Sequence, residues 1–199
     1  MTRTEVKIGG FGGQGVILSG YVIGRAAAIY DDKYATMIQA FGPEARGSAC
    51  SAQVIVSSDP VDYPYIVSPQ IMIVMSQEAY SRFSPEVAKG GVLITEDELV
   101  VPHNLRKDVK HFSIPATRIA EELGKKLVLN IVMMGFMTAV TRLLDPEAMR
   151  KAVTASVPKG TEDLNLRAFE EGYKYGEKVM SGNAVTGHST LVHAVSKTT

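Results

Sequence analysis

Five glycines crowd a short stretch near the start of the chain, and such a stretch can bind an anion. It reads Gly-Gly-Phe-Gly-Gly-Gln-Gly over residues 9–15, and Gly10, Gly12 and Gly15 satisfy the spacing Gly-x-Gly-x-x-Gly. Glycine permits positive φ and close backbone approach, and the first amides of a helix lack internal partners. A phosphate, carboxylate or sulfonate would satisfy those amides. The alternative is that the glycines only make a tight turn and let strand and helix pack closely.

A second candidate is the segment 41–50, which carries Glu44 and Arg46 between glycines. Arginine presents a planar fork that suits a carboxylate or a phosphate. Loops that follow strands gather at the ligand-binding edge of an α/β sheet, so we expect Arg46 and the glycine-rich turn to face one crevice. The alternative is a solvated loop with a local Glu44–Arg46 ion pair worth at most about 1 kcal/mol.

The cofactor NAD is disfavoured by the second predicted strand. A dinucleotide-binding fold needs an acidic residue at the end of that strand to hold the ribose hydroxyls. Here Gln39 stands at that end, and Asp31 and Asp32 precede the strand. A stand-alone NAD or FAD dehydrogenase and a non-catalytic nucleotide-binding regulatory module nevertheless stay as alternatives.

Alternating strand and helix patterns predict an α/β, Rossmann-like fold: a mostly parallel sheet flanked by helices, followed by a helical C-terminal third. We expect residues 1–180 to form a single domain and residues 181–199 to be a flexible tail or a partner-binding arm. Predicted strands lie around residues 6–8 and at 34–38, 52–56, 71–75, 91–95 and 111–114. Predicted helices lie at 15–30, 77–83, 117–123, 126–144, 146–155 and 161–180, with Asp145 as an N-cap.

Composition narrows the class of function. The 21 basic and 21 acidic side chains give no net charge, which does not favour nucleic acid as a partner. A single cysteine, Cys50, cannot form an intrachain disulfide or ligate a metal cluster, and it is expected to be a small buried hydrophobe. No signal-peptide pattern follows Met1, which predicts a cytoplasmic protein, and the apolar window 127–140 is too short for a membrane span. No catalytic dyad is evident.

Two motifs in order carry a family resemblance. The glycine-rich turn, followed by Phe-Gly-Pro-Glu-Ala-Arg-Gly at 41–47 and Asp-Tyr-Pro at 62–64, closely resembles the gamma subunit of 2-oxoacid:ferredoxin oxidoreductases. The similarity extends over about residues 5–180, and the helix with Asn130 and Gly135 also looks like one of that family. Ser48 and Gln70 depart from residues that are common there.

The resemblance implies a role in a larger enzyme. Such enzymes oxidatively decarboxylate a 2-oxoacid on thiamine diphosphate with Mg²⁺, pass electrons through [4Fe-4S] clusters to ferredoxin, and transfer the acyl group to coenzyme A. Thiamine and the clusters would belong to alpha, beta and ferredoxin-like delta subunits, so that this chain carries no catalytic or metal-binding residue. Within the family, the Gly-Pro-Glu-Ala-Arg-Gly motif at 42–47 favours the 2-oxoglutarate or general 2-oxoacid branch, with an indolepyruvate oxidoreductase beta subunit as an alternative. The candidate residues for coenzyme A binding are Gly10, Gly12, Gly13, Gln14, Gly15, Glu44, Arg46 and Gly47.

Overall fold

Six strands and six α-helices make up the described part of the chain. The structure is a computed structural model that describes residues 2–40 and 49–182. The strands are β1 (Arg3–Phe11), β2 (Tyr34–Ala40), β3 (Ala49–Ser57), β4 (Ile71–Val74), β5 (Val92–Glu96) and β6 (Lys110–Ile114). The helices are α1 (Val16–Arg25), α2 (Gln77–Phe83), α3 (Ala116–Glu122), α4 (Leu129–Thr141), α5 (Pro146–Ser156) and α6 (Glu162–Met180). A π-helical segment, Ala26–Tyr30, extends α1.

The strands form one sheet in the order β2-β3-β1-β4-β5-β6. Strands β1, β4, β5 and β6 are parallel neighbours, whereas β3 runs antiparallel to both β1 and β2. The predicted Rossmann-like, mostly parallel sheet is therefore confirmed, with β3 as its antiparallel member. All six predicted strands are present.

The two faces of the sheet are covered unequally because side chains alternate along each strand. Val6 and Ile8 of β1 point into a large core that includes residues of α1, α4, α5 and α6. Lys7 and Gly9 point to the other face, where α2 packs. A Cβ on Gly9 would lie 2.7 Å from Phe83 Cδ2, so glycine lets α2 approach the strand closely.

The helical third is held together by the close approach of α4 and α6. A Cβ on Gly135 would lie 2.0 Å from Phe169 O, and one on Gly172 would lie 2.0 Å from Val132 O. The two backbones therefore touch at glycine, and α4 is fixed along its length because all its residues from Leu129 to Val140 are buried. The apolar window 127–140, which lies within a predicted helix, forms α4 from Leu129 onward, and no helix within the described ranges is long and apolar enough to cross a bilayer.

Local caps define where the last helices begin. Asp145 Oδ2 accepts a hydrogen bond from Ala148 N at 2.9 Å, and Pro146 occupies the first turn of α5, as the sequence predicted. Arg150 of α5 pairs with Glu170 of α6, with Nε 2.6 Å from Oε1. These contacts fix α5 against α6 and so complete the cover of the larger core.

Candidate functional site

The glycine-rich turn joins the end of β1 to the start of α1. Gln14 N donates to Phe11 O at 3.1 Å and closes the turn. Gly13 and Gly15 have φ values of 95° and 74°, in the left-handed region where other residues are strained. Gly15 is the N-cap of α1. Two of the predicted glycines are thus required by backbone conformation.

The outer side of the turn offers unpartnered amides. Among residues 2–40 and 49–182, the amides of Gly12, Gly13 and Gly15 donate no hydrogen bond, and the first-turn amides of α1 have no acceptor within their helix. Gly12 and Gly13 are exposed, and a Cβ on either would meet no described atom within 4 Å. The arrangement fits an anion, because unpartnered amides lie in an exposed turn at the positive end of a helix dipole.

Gln14 and Gly10 support the turn from below. Gln14 Oε1 accepts from Phe11 N at 2.7 Å, and Gln14 Nε2 donates to Met75 O at 2.8 Å, beyond the end of β4. A Cβ on Gly10 would lie 2.7 Å from Gln14 Oε1, so Gly10 leaves the space that the amide fills. In this structure both residues brace the turn against the sheet.

Asn130 of α4 contacts the turn from the helical third. Its side chain is 1% exposed, and Nδ2 lies 3.4 Å from Gly15 O. The sequence analysis names Asn130 only through the family resemblance and predicts no contact for it. A lone amide in an apolar helix needs a polar partner, but that signal does not say which residue the partner is.

The second candidate loop leaves and re-enters the sheet beside the turn. Ala49 pairs with Phe11 and Cys50 with Gly10, while Ala40 at the end of β2 pairs with Ser51. Glu44, Arg46 and Gly47 lie outside the described residues, so the prediction that they share a crevice with the turn stays a prediction. The ends of their loop lie at the edge that it requires.

Cys50 lies under the turn. It is 7% exposed, and its Sγ donates to Gly10 O at 3.4 Å. Burial raises the pKa of the thiol, which keeps it protonated at neutral pH. The expectation of a small buried hydrophobe is confirmed.

The strand order argues against a dinucleotide site. In the dinucleotide-binding order the second strand lies directly beside the first, whereas here β3 separates β1 from β2. Asp31 is occupied elsewhere, since its Oδ2 pairs with Lys33 Nζ at 2.5 Å and accepts from Asp145 N at 3.4 Å. Gln39, near the end of β2, carries no charge for a ribose.

A pocket of about 390 Å³ lies at the opposite end of the parallel strands from the glycine-rich turn. Its lining includes Ile71, Val92 and Lys110 at the starts of β4, β5 and β6, together with Thr141 and Met180 from the ends of α4 and α6. Because the turn follows the end of β1, this pocket is separate from the candidate anion site.

The mostly parallel six-stranded sheet with a glycine-rich turn after its first strand places the chain in the class of Rossmann-like α/β proteins. Comparison with known families identifies the family within that class. The family model described as pyruvate ferredoxin/flavodoxin oxidoreductase matches residues 5–175, and the chain belongs to this family. The predicted resemblance is therefore confirmed.

Particular relatives narrow the class. The chain is 44% identical over 179 residues to the 2-oxoglutarate synthase subunit KorC of Methanocaldococcus jannaschii, covering 89% of this chain and 96% of the relative. It is 34% identical, with a TM-score of 0.80, to the gamma subunit of a keto/oxoacid ferredoxin oxidoreductase from Geobacter sulfurreducens, covering 88% and 97% of the two chains. Part of a 2-oxoglutarate:ferredoxin oxidoreductase from Magnetococcus marinus has the same fold, with a TM-score of 0.79 and 19% identity over 88% of this chain and 31% of that chain.

Proposed function

We propose that this chain is the gamma subunit of a cytoplasmic 2-oxoglutarate:ferredoxin oxidoreductase and that its glycine-rich turn binds an anionic part of coenzyme A. The reaction converts a 2-oxoacid, coenzyme A and two oxidised ferredoxins to an acyl-coenzyme A, carbon dioxide, two reduced ferredoxins and a proton. The observation that supports the substrate is the 44% identity to a 2-oxoglutarate synthase subunit over nearly all of both chains.

Thiamine diphosphate, Mg²⁺ and the [4Fe-4S] clusters are assigned to alpha, beta and delta partner subunits. With one cysteine in its sequence, this chain cannot supply the thiolates that such a cluster requires. In the described ranges, no three histidine, cysteine or acidic side chains group where a metal ion would bind. The prediction that residues 181–199 are a flexible tail or a partner-binding arm stays a prediction, since residues 183–199 lie outside the described residues.

The unpartnered amides of the turn support the coenzyme A assignment. Coenzyme A carries phosphates, and the amides of Gly12, Gly13 and Val16 are suited to receive one because backbone donors at a helix start bind phosphate oxygens. Gln14 and Gly10 would keep the turn in place, while Arg46 would add a guanidinium from the neighbouring loop. A bound phosphate there gives this subunit a role in acyl transfer, while decarboxylation proceeds in the partners.

The test uses two substitutions at Gly12 in the assembled complex. Gly12→Asp places a carboxylate among the amides, and we expect the KM for coenzyme A to rise at least about tenfold, since juxtaposed like charges cost several kcal/mol. Gly12→Ala is the matched control, because its methyl meets no described atom and the φ of Gly12 lies outside the left-handed region. Carbon dioxide release from 2-oxoglutarate without coenzyme A should be unchanged in both variants.

An unchanged coenzyme A KM in Gly12→Asp would contradict the assignment. Arg46→Gln tests the second loop in the same assay, with the same expected direction. The substrate is tested by comparing kcat/KM for 2-oxoglutarate, pyruvate and indolepyruvate in the wild-type complex. A preference for indolepyruvate would favour the alternative assignment as an indolepyruvate oxidoreductase beta subunit.

A further inference from the structure

Asn130 differs from the other buried polar side chain of α4. Thr138 is also 1% exposed, but its hydroxyl donates to Met134 O at 2.7 Å within its own helix. Asn130 instead reaches out of α4 and donates to Gly15 O. A buried amide without a partner costs about 1–3 kcal/mol, so a polar contact outside the helix is needed to retain it.

The amide of Asn130 also fits the shape of Gly15. A Cβ on Gly15 would lie 2.5 Å from Asn130 Nδ2 and 2.6 Å from its Cγ. The amide therefore fills the space in which any other residue would carry a side chain. The turn and α4 are matched to each other at this pair of residues.

The Gly15 carbonyl does not need Asn130 for its own satisfaction. It already accepts from Ser19 N at 2.9 Å and from Ser19 Oγ at 3.0 Å. A further donor restricts the orientation of this carbonyl, because it contacts the oxygen from the side of α4. In a planar trans peptide the C=O of Gly15 and the N–H of Val16 are antiparallel, so holding one sets the direction of the other.

We propose that Asn130 is a positioning residue for the anion site, which aims the Val16 N–H by holding the Gly15 carbonyl. The proposal rests on the proposed function, in which the turn binds an anionic part of coenzyme A. The packing of α4 against α6 at Gly135 and Gly172 makes Asn130 a rigid anchor. The helical third thereby acts on the ligand through one hydrogen bond to the turn.

The test replaces Asn130 in the assembled complex. Asn130→Leu has a similar size and no donor, and we expect the coenzyme A KM to rise about threefold to tenfold, as for the loss of one hydrogen bond. The kcat at saturating coenzyme A and the coenzyme-A-independent release of carbon dioxide should stay at the wild-type values. Thr138→Val is the matched control, since it removes a buried polar group from the same helix and should change none of these quantities.

The outcomes separate this inference from the proposed function. If Gly12→Asp raises the coenzyme A KM and Asn130→Leu does not, the positioning role is wrong while the site stands. If neither substitution changes the KM, the site itself is wrong and the inference fails with it. A lower kcat at unchanged KM also contradicts positioning.

A second variant covers a failure of assembly. If Asn130→Leu does not assemble, Asn130→Ser takes its place, because the serine side chain keeps a donor but is too short to reach the same carbonyl. A wild-type coenzyme A KM in the serine variant would overturn the proposal.

Discussion

Substitution of Gly172 by alanine should strongly destabilise the chain, because the new methyl would meet backbone. The added Cβ would lie 2.0 Å from Val132 O, about 1 Å inside the closest approach that real Cβ atoms make. Rotation of a side chain cannot relieve this contact, so α6 must move away from α4. Overpacking of this kind costs about 3 kcal/mol, which corresponds to a melting temperature lower by about 6–12 °C in a chain of this size.

The matched control is the same substitution at Gly24 of α1. A Cβ there meets no described atom within 4 Å and the residue is helical, so alanine should stabilise the chain by about 0.5–1 kcal/mol. Thermal unfolding of the purified chain, followed by circular dichroism, measures both variants. A melting temperature of Gly172→Ala within about 2 °C of wild type would refute the reasoning, since overpacking by even 1 kcal/mol shifts it by about that much.

Three further predictions concern buried groups. Lys7 Nζ lies 2.5 Å from Glu86 Oε2, and the Lys7 side chain is only 8% exposed. Glu86→Ala leaves this buried ammonium without its partner, so it should lower the unfolding free energy in urea more than Lys7→Met does. Burial lowers the pKa of His111 in the folded chain, so the unfolded chain takes up the proton at a higher pH, near 6.5. The unfolding free energy should therefore fall as the pH drops below about 6.5. In His111→Gln the unfolding free energy should depend less on pH over the same range. Cys50 should react with iodoacetamide much more slowly in the folded chain than in urea, and equal rates would contradict its burial and raised pKa.

The fold was largely predictable from the sequence because its elements have strong local patterns. The continuous apolar run at Ile71 and the capped start at Asp145 indicate a buried strand and a helix without tertiary information. The direction of β3 was not predictable in this way, because the pattern of Ala52 to Val56 is compatible with either orientation. Its pairing with β1 and β2 sets that direction, and such pairing is a long-range property.

The backbone conformation of the glycine-rich turn was predictable from the sequence, whereas the side-chain contacts that hold the turn in place were not. The glycine spacing itself indicated the turn, and positive φ at Gly13 and Gly15 agrees with it. The contact of Asn130 with Gly15 joins residues 115 positions apart, and no local pattern encodes it. The inward direction of the Gln14 side chain depends on Met75, which likewise comes from a distant part of the chain.

Because β3 runs antiparallel to both of its neighbours, the end of β2 and the start of β3 lie at the same end of the sheet as the glycine-rich turn. The chain leaves the sheet at Ala40 and returns at Ala49, and ladder pairs hold both ends beside the turn. Because doubling the length of a loop costs only about 0.6 kcal/mol, residues between these ends can be lengthened or exchanged as a cassette without shifting the register of β1. A change in the length of the chain between these two ends should therefore leave the position of the glycine-rich turn unchanged.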